Sequence, residues 1–61
     1  MHQLLYRPEE AAQLLAIGRS AIYEAMRKGE IESVTIGRSR RIPSNAIELY
    51  VSRLRKTQDG I

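Results

Sequence analysis

The chain has to build a stable hydrophobic core without cross-links, because its 61 residues include no cysteine. A chain of this length buries only about 60% of the surface that its unfolded form exposes, so its stability is marginal. Disulfides and thiolate-bound metals cannot add to that stability. His2 is the single histidine and lies at the N-terminus, which argues against a histidine-centred metal site or acid–base site. We therefore expect one domain over residues 1–61, no metal or other cofactor, and no enzymatic activity.

Hydropathy gives an expectation about where the protein works. No apolar run approaches the roughly 20 residues that cross a membrane. The N-terminus has neither the charged region nor the apolar region of a secretory signal. We therefore expect a cytoplasmic protein with no membrane partner.

Basic residues are unevenly distributed along the chain. Ten Lys+Arg face seven Asp+Glu, for a net charge of +3. Residues 38–41 include three arginines, and residues 53–56 include two arginines and a lysine. Such clusters are typical of proteins that bind a polyanion. The alternative is that these side chains serve solubility alone.

Pro8 predicts the start of a first short helix, because proline fits the first turn, where its missing N–H would be unpaired anyway. Apolar residues then recur with helical spacing, which predicts a helix over about residues 8–16. Its apolar stripe consists of Ala11, Leu14 and Leu15. Arg7, the residue before the proline, is a weaker N-cap than serine or threonine.

Gly18 interrupts this pattern, and a second helix is predicted over about residues 19–28. Gly29 follows its last turn, where glycine commonly ends a helix. The inward stripe of this helix consists of Ile22, Ala25 and Met26. Ile17 is expected to fill the turn between the two helices. Two short helices joined by a turn of about three or four residues form a helix-turn-helix arrangement.

After the second helix the hydrophobic period changes to that of β-strands. Val34–Ile36 alternates as a strand does, residues 37–40 predict a hairpin tip, and residues 41–42 predict a short returning strand. Ser44 is a good N-cap for a last helix. The apolar stripe of that helix consists of Ile47, Tyr50, Val51 and Leu54. Residues 57–61 are expected to form a frayed tail.

The order of these elements predicts the fold and the first candidate site. Helix, tight turn, helix, two-stranded wing and C-terminal helix make a winged helix-turn-helix, an α+β fold that is mainly α. In a helix-turn-helix the second helix lies in the major groove of DNA, with its N-terminal residues at base edges. The candidate DNA-binding residues on the exposed face of this helix are Arg19, Ser20, Tyr23 and Arg27.

These side chains suit different contacts. Arginine can bind O6 and N7 of guanine with two hydrogen bonds, and serine can bind a base or a phosphate. Tyr23 is expected to donate its hydroxyl to a phosphate, or alternatively to lie at the edge of the core. Glu24 would repel phosphates unless it meets a cytosine amino group or pairs with Arg27 or Lys28.

The wing supplies the second candidate contact. Gly37 permits the sharp reversal of the chain, and the side chains that project around it are Arg38, Ser39, Arg40 and Arg41. Side chains alternate along a strand, so we expect two of the three arginines to reach DNA together. Arginines of this kind suit phosphates or a narrow minor groove. The alternative is a solvated hairpin turn.

Several short strings of this sequence carry a resemblance to a known family. They are Glu9-Glu10-Ala11-Ala12, Leu14-Leu15, Ile17-Gly18-Arg19-Ser20-Ala21-Ile22-Tyr23, Gly29-Glu30-Ile31, Val34, Ile36-Gly37-Arg38 and Arg41-Ile42-Pro43. In this order they resemble the excisionase-type DNA-binding domain, a winged-helix family related to the MerR-type regulators. The resemblance covers residues 4–54. It implies that Arg19, Ser20 and Tyr23 lie on the DNA-facing helix and that the wing is formed by Arg38, Arg40 and Arg41.

Three positions depart from the family's usual pattern. Arg7 stands where the family has serine or threonine, Ala16 where it has glycine, and Gly18 where it has serine. Gly18 is still an acceptable N-cap, within a few tenths of a kcal/mol of serine. The alanine at position 16 leaves the geometry of the turn open.

The resemblance also implies a function. Excisionases are recombination directionality factors of phages and other mobile elements. They bind adjacent sites on attachment-site DNA, bend it and direct a partner integrase toward excision. The chain shows no sustained heptads, so we expect a monomer in solution that binds cooperatively on DNA. One alternative is a small transcriptional regulator of the same fold. Another is a protein-interaction module, antitoxin-like or adaptor-like, that uses exposed Leu49 beside Leu4 and Leu5.

Overall fold

Over residues 3–59, the part of the chain that the computed structural model describes, three helices pack with a small antiparallel sheet. The elements in chain order are β1 (Leu5–Tyr6), α1 (Pro8–Leu15), α2 (Arg19–Arg27), β2 (Val34–Ile36), β3 (Ser39–Pro43) and α3 (Ser44–Asp59). The predicted winged helix-turn-helix, α+β and mainly α, is confirmed. Strand β1 was not predicted, since two residues are too few to show an alternating pattern.

The sheet ties the N-terminal segment to the wing. Its strand order is β1-β3-β2, and β3 pairs with both neighbours in antiparallel fashion. Leu5 lies opposite Pro43 and Tyr6 opposite Ile42. The sheet therefore connects the segment before α1 to the base of the hairpin, and so fixes the wing relative to the helices.

The tip of the wing is shorter than predicted. Ile36 lies opposite Ser39, so the turn consists of Gly37 and Arg38 alone, and Ser39 and Arg40 belong to β3. Gly37 has a φ of +61°, and Arg38 does not have a positive φ. A positive φ at the first central residue alone is the type II′ pattern, whose twist matches that of paired strands. Strands β2 and β3 therefore stay paired up to the two-residue turn, two residues further than the predicted four-residue tip would allow.

The core is small and has three isoleucines at its centre. Its buried residues are Ala11, Ala12, Ile22, Ala25, Ile31, Ile42, Ala46 and Ile47. Ile22, Ile31 and Ile42 are the largest of the fully buried side chains. Partly buried side chains around them are Tyr6, Leu15, Ile17, Met26 and Tyr50. The inward stripe predicted for the second helix is thus confirmed.

Helix α1 packs through a different face from the predicted one. Its buried residues include Ala11 and Ala12, with Leu15 partly buried, whereas Leu14 is 60% exposed. The prediction that Leu14 belongs to the apolar stripe is therefore wrong. Two adjacent alanines bring α1 close to its neighbours, and this turns the inward face away from Leu14.

Helix α3 extends past the rest of the molecule. Its first two turns bury Ile47 and partly bury Tyr50, but Val51 and Leu54 are 38% and 45% exposed. A helix of 16 residues is about 24 Å long, longer than the small sheet can cover.

Helix α3 also includes residues 57–59, which were predicted to form part of a frayed tail. The hydroxyl of Thr57 donates to the carbonyl oxygen of Arg53, one turn earlier, at 3.0 Å. Residues 60 and 61 lie outside the described part.

Helices α1 and α2 end in the same capping arrangement. Ile17 N–H donates to Ala12 O and Ala16 N–H to Gln13 O, the paired hydrogen bonds of a Schellman motif. After α2, Glu30 N–H donates to Ala25 O and Gly29 N–H to Met26 O. The left-handed residue of this motif is Gly29 after α2, with a φ of +74°, but Ala16 after α1, with a φ of 58°.

Ala16→Gly is expected to raise the free energy of unfolding by about 0.5–1 kcal/mol. A left-handed backbone conformation costs a non-glycine residue about 1–2 kcal/mol, and glycine removes this cost. Glycine also raises the conformational entropy of the unfolded chain, which lowers the free energy of unfolding by about 0.4–1 kcal/mol and offsets part of the gain. Urea unfolding followed by circular dichroism measures the change, and the Tm should rise by about 2–8 °C.

Gln13→Gly is the matched control for Ala16→Gly, because it adds a glycine at an exposed position inside α1. It should lower stability by about 0.5–1 kcal/mol. If Ala16→Gly lowered stability as well, position 16 would not be strained in solution.

Candidate nucleic-acid interface

The four candidate residues of α2 lie on its exposed side. Arg19, Ser20, Tyr23 and Arg27 are all exposed, whereas Ile22 and Ala25 point into the core. Tyr23 is 39% exposed, so its ring is partly covered although its hydroxyl is free of the core. The helix therefore presents one apolar side inward and one cationic side outward.

A single carboxylate joins the start of α1 to the start of α2. Glu9 Oε2 accepts a hydrogen bond from the Tyr23 hydroxyl at 2.9 Å and lies 3.3 Å from Arg19 Nε. The Arg19 guanidinium carbon lies 5.4 Å from the centre of the Tyr23 ring, a cation–π distance. A tyrosine has one O–H to donate. Tyr23 can therefore donate to a phosphate only by releasing Glu9.

The environment of Glu9 favours its charged form. A hydrogen bond from its own backbone N–H is the largest influence that lowers the pKa of Glu9, followed by the hydrogen bond from Tyr23. The positive charges of Arg19 and Arg7 lower this pKa further. Glu9 is therefore ionised at neutral pH, and in this form it accepts the hydrogen bond from Tyr23 and forms the ion pair with Arg19.

Arg27 has an acidic partner on its own helix. Its Nη2 donates to both carboxylate oxygens of Glu24 at 2.6 Å, and Lys28 Nζ lies 3.6 Å from Glu24 Oε2. The hydrogen bond from Arg27 is the main reason that the pKa of Glu24 is lowered. Of the two alternatives for Glu24, the structure shows the pairing with Arg27 and Lys28. Exposed pairs of this kind are worth little, so Arg27 can exchange Glu24 for a phosphate at small cost.

The wing turns one of its arginines toward α2. Arg40 is two residues from the fully buried Ile42 on β3, so both side chains lie on the same face of the sheet. Its Nη2 donates to the hydroxyl of Ser33. A groove of about 500 Å³ lies between α2 and this strand. Its lining residues are Ser20, Tyr23, Glu24, Met26, Arg27 and Arg40.

The remaining wing residues point elsewhere. Arg38 is exposed in the turn, and Ser39 is exposed opposite Ile36. Arg41 lies opposite Val34 on the other face of the sheet, is partly buried, and donates from Nη1 to the carbonyl oxygen of Arg40 at 2.9 Å. The structure therefore brings Arg40 beside α2 and leaves Arg41 on the other face of the sheet.

The second basic cluster lies on the projecting half of α3. Arg53 Nη1 donates to the carbonyl oxygen of Glu30, just after α2, at 3.3 Å. Arg55 and Lys56 are exposed on the same part of the helix.

The contacts of Glu9 with α2 were not predicted from the sequence. An acidic residue in the first turn of a helix is expected from the helix dipole alone, and no local pattern links Glu9 to Arg19 or Tyr23. The contact exists because the turn after α1 brings the start of α2 beside the start of α1. A family pattern in which position 9 varies together with position 19 is the signal that could have indicated it.

Two other kinds of site can be assessed for residues 3–59. No group of three or more histidine, cysteine, aspartate or glutamate side chains there is arranged to hold a metal ion. No helix in the same range combines the length and the apolar character needed to cross a membrane.

Comparison with known proteins gives the family. Residues 5–55 match the family model described as "Helix-turn-helix domain". The chain belongs to this family.

This helix-turn-helix protein is also 51% identical, over 53 residues, to a protein of Saccharopolyspora erythraea named "Probable excisionase". The aligned part is 87% of this chain and 54% of that relative, so the chain spans about half the length of the curated relative it matches. No solved structure matches the chain significantly. The resemblance to the excisionase-type family is thus confirmed.

Proposed function

We propose that this helix-turn-helix protein is a DNA-binding excisionase. It binds adjacent sites on attachment-site DNA, bends the duplex and directs a partner integrase toward excision. The observation that carries the proposal is the groove between α2 and the wing, where Arg27 and Arg40 line one concave surface. The similarity to a relative named as a probable excisionase supports the biological role.

The binding mode follows from the two sides of this groove. Helix α2 enters the major groove with Arg19 and Ser20 leading, as second helices of this motif do. The wing then lies along the neighbouring backbone, where Arg38 and Arg40 contact phosphates or the minor groove. Arg27 reaches the backbone beside the major groove, Tyr23 contributes through the ring that lies under Arg19, and Ser39 and Arg41 contribute at the outer side of the wing.

The role is architectural rather than chemical. The integrase performs the bond-breaking steps, and this protein shapes the DNA on which the integrase acts. A bent duplex costs a few kcal/mol, and contacts from a helix and a wing on two grooves can supply that energy. The protein itself needs no catalytic group or cofactor for this work.

Arg38→Ala and Arg40→Ala are expected to weaken binding to specific and random DNA alike. Each change removes one phosphate contact, so each should reduce the slope of log affinity against log salt by about 1. Fluorescence anisotropy titrations over a salt series measure both quantities. Arg55→Ala removes the same charge from the projecting half of α3 and should leave the slope on a single site unchanged. Unchanged slopes in both wing variants would show that the wing points into solvent.

Assembly on DNA is the sharper test of the excisionase role. One winged module buries about 600–1,000 Å² of protein surface on DNA, which is small for tight binding by a single copy. We infer a monomer in solution whose copies on neighbouring sites raise each other's effective concentration. The contact between copies is then made by the wing of one and residues 53–56 of the next, through Glu30 or Glu32.

Sedimentation of the free protein and titration of one-site and two-site duplexes test this arrangement. The expected results are a monomer, tighter binding per site on the longer duplex, and more excision when the protein is added to integrase and recombined attachment-site DNA. A stable dimer with equal affinity per site would favour a transcriptional regulator on a palindrome. Absence of salt-dependent DNA binding would favour a protein-interaction module that uses the exposed Leu4 and Leu49.

A further inference from the structure

We propose that Glu9, which lies outside the recognition helix, is a positioning residue that sets how well Arg19 discriminates between bases. The inference rests on the proposed function, in which α2 reads the major groove. It adds a specificity-determining residue from α1, a helix that a helix-turn-helix uses to cross the backbone rather than to read sequence.

Two neighbours restrain the Arg19 guanidinium. Glu9 Oε2 lies 3.3 Å from Nε in an ion pair, and the guanidinium carbon lies 5.4 Å from the centre of the Tyr23 ring. The Tyr23 hydroxyl donates to the same oxygen, so the ring is held by the carboxylate as well. Within residues 3–59, the structure gives neither terminal nitrogen of Arg19 a hydrogen-bond partner. These two nitrogens form the edge of the guanidinium that can bind O6 and N7 of guanine together.

Holding one edge helps base reading more than it helps phosphate binding. A free arginine side chain loses much rotamer freedom when it binds a base in one geometry, and a pre-organised side chain loses less. A phosphate accepts hydrogen bonds from many directions, so a fixed guanidinium gains little there. The positive charge of Arg19 is also partly neutralised by Glu9, which weakens its attraction to any phosphate.

Glu9 therefore affects the two kinds of DNA to different extents. On the cognate site it lowers the cost of ordering Arg19, whereas its negative charge opposes binding to the phosphate backbone of cognate and random DNA alike. Only the first effect raises the ratio of specific to non-specific affinity, and it does not require Glu9 to touch DNA.

The test compares Glu9→Gln with Glu10→Gln. The two changes remove the same charge from the same turn of α1, but Glu10 accepts hydrogen bonds from Arg7 N–H at 2.8 Å and from Gln3 Nε2 at 3.3 Å, and none from α2. Glutamine keeps an acceptor oxygen for the Arg7 N–H, so the start of α1 remains capped. Both positions are exposed, and thermal unfolding of each variant checks the fold.

Affinity is measured for a duplex that the wild-type protein selects from a randomised pool and for a random duplex of equal length. Glu9→Gln is expected to reduce the ratio of the two affinities by about 3- to 10-fold, the effect of losing the pre-organisation of one long side chain. Glu10→Gln should strengthen both affinities slightly and leave the ratio unchanged. In an Arg19→Ala background, Glu9→Gln should not reduce the ratio further.

Equal ratios for the two glutamine variants, or an undiminished effect of Glu9→Gln without Arg19, would overturn the role of Glu9 and leave DNA recognition by α2 intact. An NMR signal of the Arg19 Nε–H that Glu9→Gln does not shift in the free protein would also overturn it. Failure of the wild-type protein to select any sequence would overturn the proposed function as well.

Discussion

Ile22→Ala should lower the free energy of unfolding by about 2–5 kcal/mol, because it removes three carbons from a fully buried site and leaves a cavity. Ile22 lies on the inward side of α2 and belongs to the same core as Ile31 and Ile42. A domain of this size has only about 3–9 kcal/mol of stability in total. The variant should therefore be close to unfolding at room temperature, and its DNA binding should be weakened with its helix content.

Ile36→Ala is the matched control, since it makes the same chemical change at a position that is 56% exposed on the wing. Its effect should stay within about 1 kcal/mol, the span of strand propensities. Urea unfolding of both variants, followed by circular dichroism, gives the comparison. Equal losses at the two positions would mean that the core is not centred on α2 in solution.

The elements that could be predicted from the sequence are those whose ends are marked by a proline or a glycine. Pro8 starts α1 and Gly29 lies in the left-handed position after α2. Gly37 provides the positive φ of the hairpin turn. In each case a residue type with unusual backbone preferences stands where the backbone needs it. Secondary structure of this kind is encoded within a few residues and is readable without knowledge of the packing.

The features that could not be predicted depend on which helices and strands pack against one another. Periodicity identifies Leu14 and Leu54 as apolar residues at helical spacing, but both are exposed. Leu14 is displaced from the inward face by Ala11 and Ala12, and Leu54 lies beyond the reach of the sheet. Strand β1 exists only because β3 provides a partner for it. The exposure of these side chains and the pairing of β1 depend on tertiary packing, which cannot be derived from the local pattern of a single sequence.

The candidate interface likewise has features that follow from local spacing and features that depend on tertiary structure. That Arg19 and Tyr23 share the exposed side of α2 follows from helical spacing, which places them one turn apart. Glu9, the carboxylate that both side chains contact, lies ten and fourteen residues earlier on another helix, and only the turn after α1 brings it there. The position of Arg40 beside α2 likewise required the strand register, because shifting the hairpin by one residue would exchange the faces of Arg40 and Arg41.

Arg19→Ala is expected to cost about 1–3 kcal/mol on the selected site and to relax the preference at one base pair. Arg19 is the first residue of α2, its side chain is 73% exposed, and Nε is the atom through which it contacts Glu9. Selection from a randomised pool, followed by titration of single-base variants of the preferred site, measures both the affinity and the position at which preference is lost.

Arg19→Lys separates charge from geometry at the same position. Lysine keeps the positive charge but offers a single ammonium in place of the planar two-nitrogen edge. If Arg19 reads a base, Arg19→Lys should bind random DNA as the wild type does and lose most of the preference that Arg19→Ala loses. If Arg19 contacts a phosphate, lysine should restore binding, and Arg19→Ala should weaken binding to selected and random duplexes by the same factor. In that second case sequence choice would have to come from Ser20 or from the shape of the DNA, and α2 would serve chiefly to anchor the protein while the bend is made.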